Sequence, residues 1–331
     1  MPSCHRRKPG SPRSPGTGRT KNLKGVQRRM DATVVIATYN REALLKKCLE
    51  HLFEQDYPKD KYEIVIVDDC STDGTAEMIR NLNPPCRLAY IANTKTLGPS
   101  IARNKAITEA AGEIVIFIDS DAFAPPWYIR EHVETHKTNP GIIMDGPIIN
   151  LTRKEDIQAP PFLRWDIKTM AFLDFGGVYF ITANASCPRK SLESAGGFDE
   201  EFVWAWEDVE LGTRLMESGL KRIKNRRAYV LHCKVGKYSL QSQAAFRKER
   251  AEYAGKFFCK HPSAMAKRMV RLRYLKYDRL FERMGWVRRY LNEEYISSSG
   301  GRLPAWPPML KKFYLIHAHA EGLRKGLGIT R

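Results

Sequence analysis

The sequence predicts an α/β fold, a mostly parallel sheet with helices on both faces. Three observations carry this expectation. Short, wholly apolar runs such as TVVIA (33–37) and IVIFI (114–118) suit strands buried on both sides. Segments of helical period separate them. Strand and helix then alternate from residue 33 to about residue 120, the spacing of successive β-α-β units.

In order, 33–37 is the first strand. Residues 41–55 follow with Leu44, Leu45, Cys48, Leu49, Leu52 and Phe53 at helical spacing. YEIVIV (62–67) is the second strand, 74–82 a short helix and 87–91 the third strand. Residues 99–111 form a helix with Ile101, Ala102 and Ile107 inward, and IVIFI is the fourth strand. Beyond Asp121 the pattern loosens. A helix at 127–137, a strand near 142–149 and the apolar stretch 178–185 extend the same sheet, followed by a helix at 207–218 and a strand at 228–232. After about residue 236 strand signals stop. Residues 239–258 and 263–286 are expected as long basic helices, Pro304, Pro307 and Pro308 break the chain, and a last helix falls near 311–325. The expected organisation is a disordered basic leader (1–30), an α/β domain (31–235) and a basic helical extension (236–331).

The 331 residues are 43% hydrophobic and 28% charged, which excludes collagen-like, coiled-coil and wholly disordered classes. No apolar run approaches the roughly 18 residues of a membrane span, and the basic N-terminus lacks the apolar core of a secretory signal. The net charge of +18 is uneven: +9 over 1–30, −6 over 31–233 and +15 over 234–331. An acidic body between basic ends fits an enzyme whose flank meets an anionic surface. Seven cysteines, an odd number with no CxxC pair, argue against a zinc ribbon or disulfide scaffold and for a reducing cytoplasm. Cys70 and Cys187 are expected to be packing residues.

Acidic residues mark the ends of the expected strands. Asp68 and Asp69 close the second, Asp119 and Asp121 (DSD) close the fourth, and Glu207 and Asp208 open a helix after GGFDEEFVWAWED. In a parallel sheet, ligands sit beyond the carboxyl ends of the strands. Acids crowded there repel one another unless cations or donors intervene. A divalent metal is the simplest remedy, and Mg²⁺ or Mn²⁺ commonly completes its shell with waters and substrate phosphates.

VVIATYNR, VDDCSTDGT, LGPSIARNKAI and FIDSDAF, in this order, resemble the nucleotide-sugar half of a family 2 glycosyltransferase of GT-A fold. GGFDEEFVWAWEDVELGTRL resembles the acceptor-side segment that this family shares with galactosyl- or N-acetylgalactosaminyltransferase-type enzymes. The resemblance spans about residues 31–233 and implies a three-layer α/β/α domain. It also implies roles. Tyr39 packs on the nucleotide base, Arg41 lies near the phosphates, and Asp69 accepts from the base, with uracil N3–H as the expected donor. Asp68 is its neighbour, capping the turn. Arg103 and Asn104 lie near the nucleotide. Asp119 faces the ribose and metal waters, Asp121 ligates Mn²⁺ or Mg²⁺, and His232 stands where relatives place a third ligand. Asp208 is the catalytic base, with Glu207 beside the substrate.

Plainer readings stand beside these. His232 at a strand end also suits an ordinary hydrogen bond. Asp121 could cap a turn, and Glu207 and Asp208 gain from a helix N-terminus. Trp204 and Trp206 either stack on an acceptor sugar or serve as core or lid aromatics. Glu210 and Arg214, at i and i+4, are expected to pair on a helix face.

The implied activity is metal-dependent, inverting transfer of a sugar from a nucleotide-sugar, UDP-linked by expectation, to a hydroxyl acceptor on a glycan, glycolipid or lipid-linked chain. A nucleotidyltransferase would announce a Gly-rich basic loop after the first strand, and ATYNREAL is not one. A non-catalytic binder on this fold has no use for Asp208. In 267–289, nine basic residues interleave with Tyr274, Leu275, Tyr277, Leu280, Phe281 and Trp286, which suits either a helix on anionic lipid or a solvated basic face. No nucleic-acid module supports that partner. The expected location is cytoplasmic, peripheral on the inner face of the membrane.

Overall fold

The structure is a computed structural model that describes residues 29–151, 155, 180–234, 239–284 and 308–329. All but the end of the expected leader lies outside these residues, as do 178–179, Trp286, Pro304 and Pro307, whereas Pro308 opens the last helix. The chain opens as β1 (Ala32–Thr38), α1 (Glu42–Phe53), β2 (Tyr62–Asp68), α2 (Thr75–Arg80), β3 (Arg87–Ala92), α3 (Pro99–Glu109) and β4 (Ile114–Ile118). These strands pair in parallel in the order β3-β2-β1-β4.

Alternation along each strand makes the layers. Val34 and Ile36 of β1 turn to the face covered by α1, where Leu45, Leu49 and Leu52 are buried, while Val35 turns to the face covered by Ala102, Ala106 and Ile107 of α3. Burying each such side chain contributes about 1.5–3 kcal/mol. This half of the fold therefore follows directly from the apolar runs.

The second half adds β5 (Ala122–Phe123), α4 (Tyr128–Thr138), β6 (Ile142–Asp145), β7 (Ile148–Leu151), β8 (Asn184–Pro188), α5 (Arg189–Ser194), α6 (Glu207–Glu217), β9 (Lys221–Lys224) and β10 (Val230–Cys233). It corrects two expectations and adds a strand that no expectation covered. The strand expected over 142–149 is two strands in two sheets. Gly146 lies so close to the Ala228 carbonyl that a Cβ would come within 1.8 Å, and Pro147 has no N–H to continue a ladder. The strand expected within 178–185 is β8, shifted downstream and antiparallel between β4 and β6. β9 (KRIK) carries no apolar signal, yet it pairs in parallel with β6 at the sheet edge. A separate small sheet runs β5-β10-β7.

The C-terminal region has α7 (Leu240–Lys260), α8 (Ala264–Met269), α9 (Tyr274–Arg283) and α10 (Pro308–Gly326). The single long helix expected over 263–286 is thus two short ones, broken where Arg271 takes a left-handed conformation (φ 57°). α10 runs against α7 at backbone distance, since a Cβ at Gly322 or Gly326 would stand 1.9 Å from the carbonyl oxygen of Lys248 or Glu252. Asp278 of α9 is fully buried, accepting from His317 at 2.6 Å and from Arg324. A third apolar cluster joins this region to the body: Phe202, Ala205, Trp206 and Val209 pack with Ala251, Ala254, Phe257 and Val270.

Candidate functional site

The site lies where β1, β2 and β4 end. Its floor is a set of loop-fixing hydrogen bonds. Asn40, in the left-handed region (φ 49°), accepts from the Thr72 amide at 2.7 Å, and its own amide donates to Ser71 Oγ at 2.8 Å. Asp68 caps the next turn as expected, accepting from the Ser71 amide at 2.9 Å and from the Tyr90 hydroxyl at 2.7 Å. Asp69 is buried, and both of its oxygens receive protein donors: Asn93 Nδ2 and the Leu97 amide on one, the Gly98 amide on the other, each at 2.8 Å. The last contact needs a glycine. Gly98 has φ 91°, and a Cβ there would meet the Val203 carbonyl at 2.6 Å. Tyr39 stands 48% exposed at the mouth, open to a flat partner.

Asp119, Asp121 and His232 converge, with one ligating atom from each within 4.8 Å of the others. Strand register explains why. β10 pairs antiparallel with β5, setting His232 opposite Ala122, and the Cys233 amide donates to the Asp121 carbonyl at 2.9 Å. His232 Nε2 lies 3.1 Å from Asp121 Oδ1 and 3.7 Å from Asp119 Oδ2. Its Nδ1 faces Asn150 Oδ1 at 3.4 Å, because β7 places Asn150 beside it in register. Two carboxylates and an imidazole oriented through its other nitrogen fit a divalent ion of the Mn²⁺ type. Here protein cations balance the acids. Arg41 ion-pairs with Asp121, and Arg103 reaches Asp119 at 3.6 Å.

The electrostatics differ between the two acids. Burial raises the Asp119 carboxyl, only partly countered by Arg103. Burial also works to raise Asp121, but the hydrogen bond and charge of His232, with Arg41, outweigh it and hold that carboxyl below its usual range.

Arg103 links this cluster to the second carboxylate pair. It is buried and donates to Glu207 at 2.9 Å. Next to Glu207, Asp208 opens α6 and accepts from the Val209 amide at 2.7 Å. Burial and the Glu207 charge push its pKa up to about 7, against the opposing charges of Arg250 and Arg103. A carboxylate tuned near neutrality is what proton abstraction from a hydroxyl needs.

Two expected site residues are placed elsewhere. The Asn104 side chain is engaged by the 198–200 loop. Its amide clasps the backbone of Phe198, donating at 2.9 Å and accepting at 2.7 Å, and so pins the GGFDEE loop to α3. Trp206 is 8% exposed and stacks against Phe257 of α7, ring centroids 5.2 Å apart, so its ring is a core aromatic and not an open sugar platform. It holds a left-handed conformation (φ 69°), and its buried indole N–H has no protein acceptor. Trp204 donates to Glu249 at 2.6 Å and packs on Phe246 and Tyr253. Glu210 and Arg214 pair as expected, at 2.6 Å.

Asn150 and Arg250 carry no sequence signal. Asn150 becomes relevant only through the β7–β10 register, and Arg250 only through the docking of α7. Among the described residues all cysteines are free, and Cys48 and Cys187 are buried thiols whose pKa burial pushes far up.

The family model for glycosyl transferase family 2 matches residues 33–196. These residues belong to glycosyltransferase family 2. The match ends before Asp208 and His232. Validoxylamine A glucosyltransferase of Streptomyces hygroscopicus subsp. limoneus is 28% identical over 229 residues, covering 60% of this chain and 50% of that protein. The chain thus spans about half the length of such relatives. Two solved structures share the fold. Mannosyltransferase PcManGT of Pyrobaculum calidifontis, in complex with GDP-Man and Mn²⁺, aligns with a TM-score of 0.59 at 21% identity, covering 90% of this chain and 87% of that one. S. aureus TarS 1–349 in complex with UDP-GlcNAc aligns with a TM-score of 0.56 at 19% identity, covering 91% and 90%. The fold is therefore GT-A, with a helical C-terminal region.

Proposed function

We propose that the protein is a metal-dependent, inverting glycosyltransferase that moves a sugar from a nucleotide-sugar, UDP-linked in the first instance, to a hydroxyl of a cell-surface glycan or glycolipid. The observation that carries this reading is the convergence of Asp119, Asp121 and His232, joined through Arg103 to Glu207 and a near-neutral Asp208. Residues 31–235 form the catalytic domain and 236–331 the extension in this reading.

Tyr39 stacks on the base at the mouth, and Arg41 swings from Asp121 to the phosphates. Asp69 orients the Leu97–Gly98 turn and keeps an acceptor lone pair for the base. Asp119, Asp121 and His232 would hold Mn²⁺ or Mg²⁺, which would supply Lewis-acid stabilisation of the leaving diphosphate. Asp208 takes the proton of the acceptor hydroxyl while that oxygen attacks the anomeric carbon from the face opposite the diphosphate. One carboxylate base and no protein nucleophile give inversion.

The donor class is tested by thermal shift with UDP, GDP, CMP and dTDP, each with and without Mn²⁺. One nucleotide should stabilise only with the metal, by about 2.7 kcal/mol at a hundred times its dissociation constant, and not in Asp121→Ala. No shift with any nucleotide would sink the reading. Loss of transfer in Asp208→Asn with nucleotide binding retained separates a catalyst from a binder. A cytoplasmic enzyme peripheral on an anionic membrane is a second layer of this reading, favoured by exposed Tyr277 and Leu280 among the cations of α9. No helix among the described residues is long and apolar enough to cross a membrane.

A further inference from the structure

The strongest unassigned feature is a groove of about 650 Å³ along α8, α9 and their link. Six cations line it, Lys267, Arg268, Arg271, Arg273, Lys276 and Arg279, together with Leu272 and Leu275, and among the described residues no carboxylate does. Six like charges within 13 residues of chain repel one another, so an anion is the ligand that relieves the groove. Arginine forks match phosphate oxygens in pairs.

The position of the groove adds to its charge. Leu272 and Leu275 pack on the cluster that contains Trp206 and Val209, the residues flanking Glu207 and Asp208. The charges continue toward the same place. Arg271 shares the field around His319 with Arg247 and Arg250, and Arg250 in turn acts on Asp208. Arg250 is thus within electrostatic range both of Asp208 and of the neighbourhood of Arg271 in the groove wall.

We infer that this groove binds the phosphates of a polyanionic acceptor, a chain of phosphodiester-linked units whose reactive hydroxyl is delivered along Arg271 and Arg250 to Asp208. The inference rests on the glycosyltransferase reading and names its acceptor class. A concave groove suits a chain laid along it better than the flat face of a bilayer.

The test uses the full chain and fluorescently labelled inorganic polyphosphate, followed by anisotropy at about 0.15 M salt. Wild type should bind, with affinity falling steeply as salt rises. Arg268→Gln/Lys276→Gln/Arg279→Gln should weaken binding at least about tenfold and flatten the salt slope by roughly 2, as for three lost phosphate contacts at about 0.7 each. Arg250→Gln alone should weaken it about twofold. All three charges of the triple variant are exposed, and its Mn²⁺-dependent nucleotide shift should equal that of wild type, which reports folding and the donor site separately. The inference is overturned if wild type ignores polyphosphate, if the triple variant binds it equally, or if Arg250→Gln has no effect. It is also overturned if phosphatidylglycerol vesicles are bound at matched phosphate and polyphosphate is not, which would assign the groove to a membrane. A protein that binds polyphosphate through the groove but no nucleotide would instead sink the glycosyltransferase reading.

Discussion

The nucleotide-side half and the C-terminal helices solve opposite problems. In residues 31–151 acids gather at strand ends, and buried cations (Arg103) or partly exposed ones (Arg41) are brought to them. In residues 239–284 cations gather on helix surfaces, and among the described residues that line the groove of α8 and α9 there is no carboxylate. The first region concentrates negative charge, the second positive. Docked through Trp206 and Phe257, they meet at Asp208, whose ionisation both regions influence. Asp208 is therefore set at a seam, and its ionisation depends in part on Arg250, a residue far along the chain.

That contrast can be broken from either side. The largest effect is expected from Asp121→Ala, which removes a ligand that His232 and Arg41 both engage. Mn²⁺-dependent nucleotide binding should vanish in the thermal-shift assay and transfer should fall by about 10³. Asp208→Asn should lower turnover by about 10²–10⁴ with nucleotide affinity kept. In wild type the transfer rate should rise with pH and level off above about 7, where Asp208 is ionised. Stability moves the other way. With the folded pKa raised, the contribution of Asp208 is full below the ordinary carboxylate range near pH 4 and is lost as pH rises through about 7. Asp208→Asn should therefore melt higher than wild type at pH 8 and equal to it at pH 4, a difference that calorimetry reads.

Phe257→Ala strips the ring beneath Trp206 and should cost about 3–5 kcal/mol. If the seam matters, urea denaturation will show that loss together with a fall in transfer. Loss of stability with unchanged transfer would make the helices mere ballast. The smallest effect belongs to Asn104→Ala. It should cost about 1–3 kcal/mol for the unpaired Phe198 backbone groups and leave nucleotide affinity, by titration calorimetry, within about twofold. A large loss of affinity would return Asn104 to the nucleotide.

The first half was legible because burial on both faces writes itself as uninterrupted apolar runs, and because acids ending such runs stand out. Asp119 and Asp121 stood out as acids at a strand end, His232 was named through the family resemblance, and their convergence follows from the register. Illegible features depend on partners distant in sequence. Nothing in IIN (148–150) says that Asn150 will face His232. Trp206 looks like an open platform until α7, some fifty residues later, covers it. The break at Arg271 needs a left-handed backbone that arginine does not advertise, and KRIK becomes a strand only because β6 offers it an edge.

The small-residue face of α10 has a mechanical consequence. With Gly322 and Gly326 resting on the carbonyls of Lys248 and Glu252, α7 and α10 mesh like two rails with no side chains as cushion. A push on one is transmitted to the other with little give. Arg250 lies between those two contact points in the chain, so α10 works as the backstop for the helix whose charge bears on Asp208.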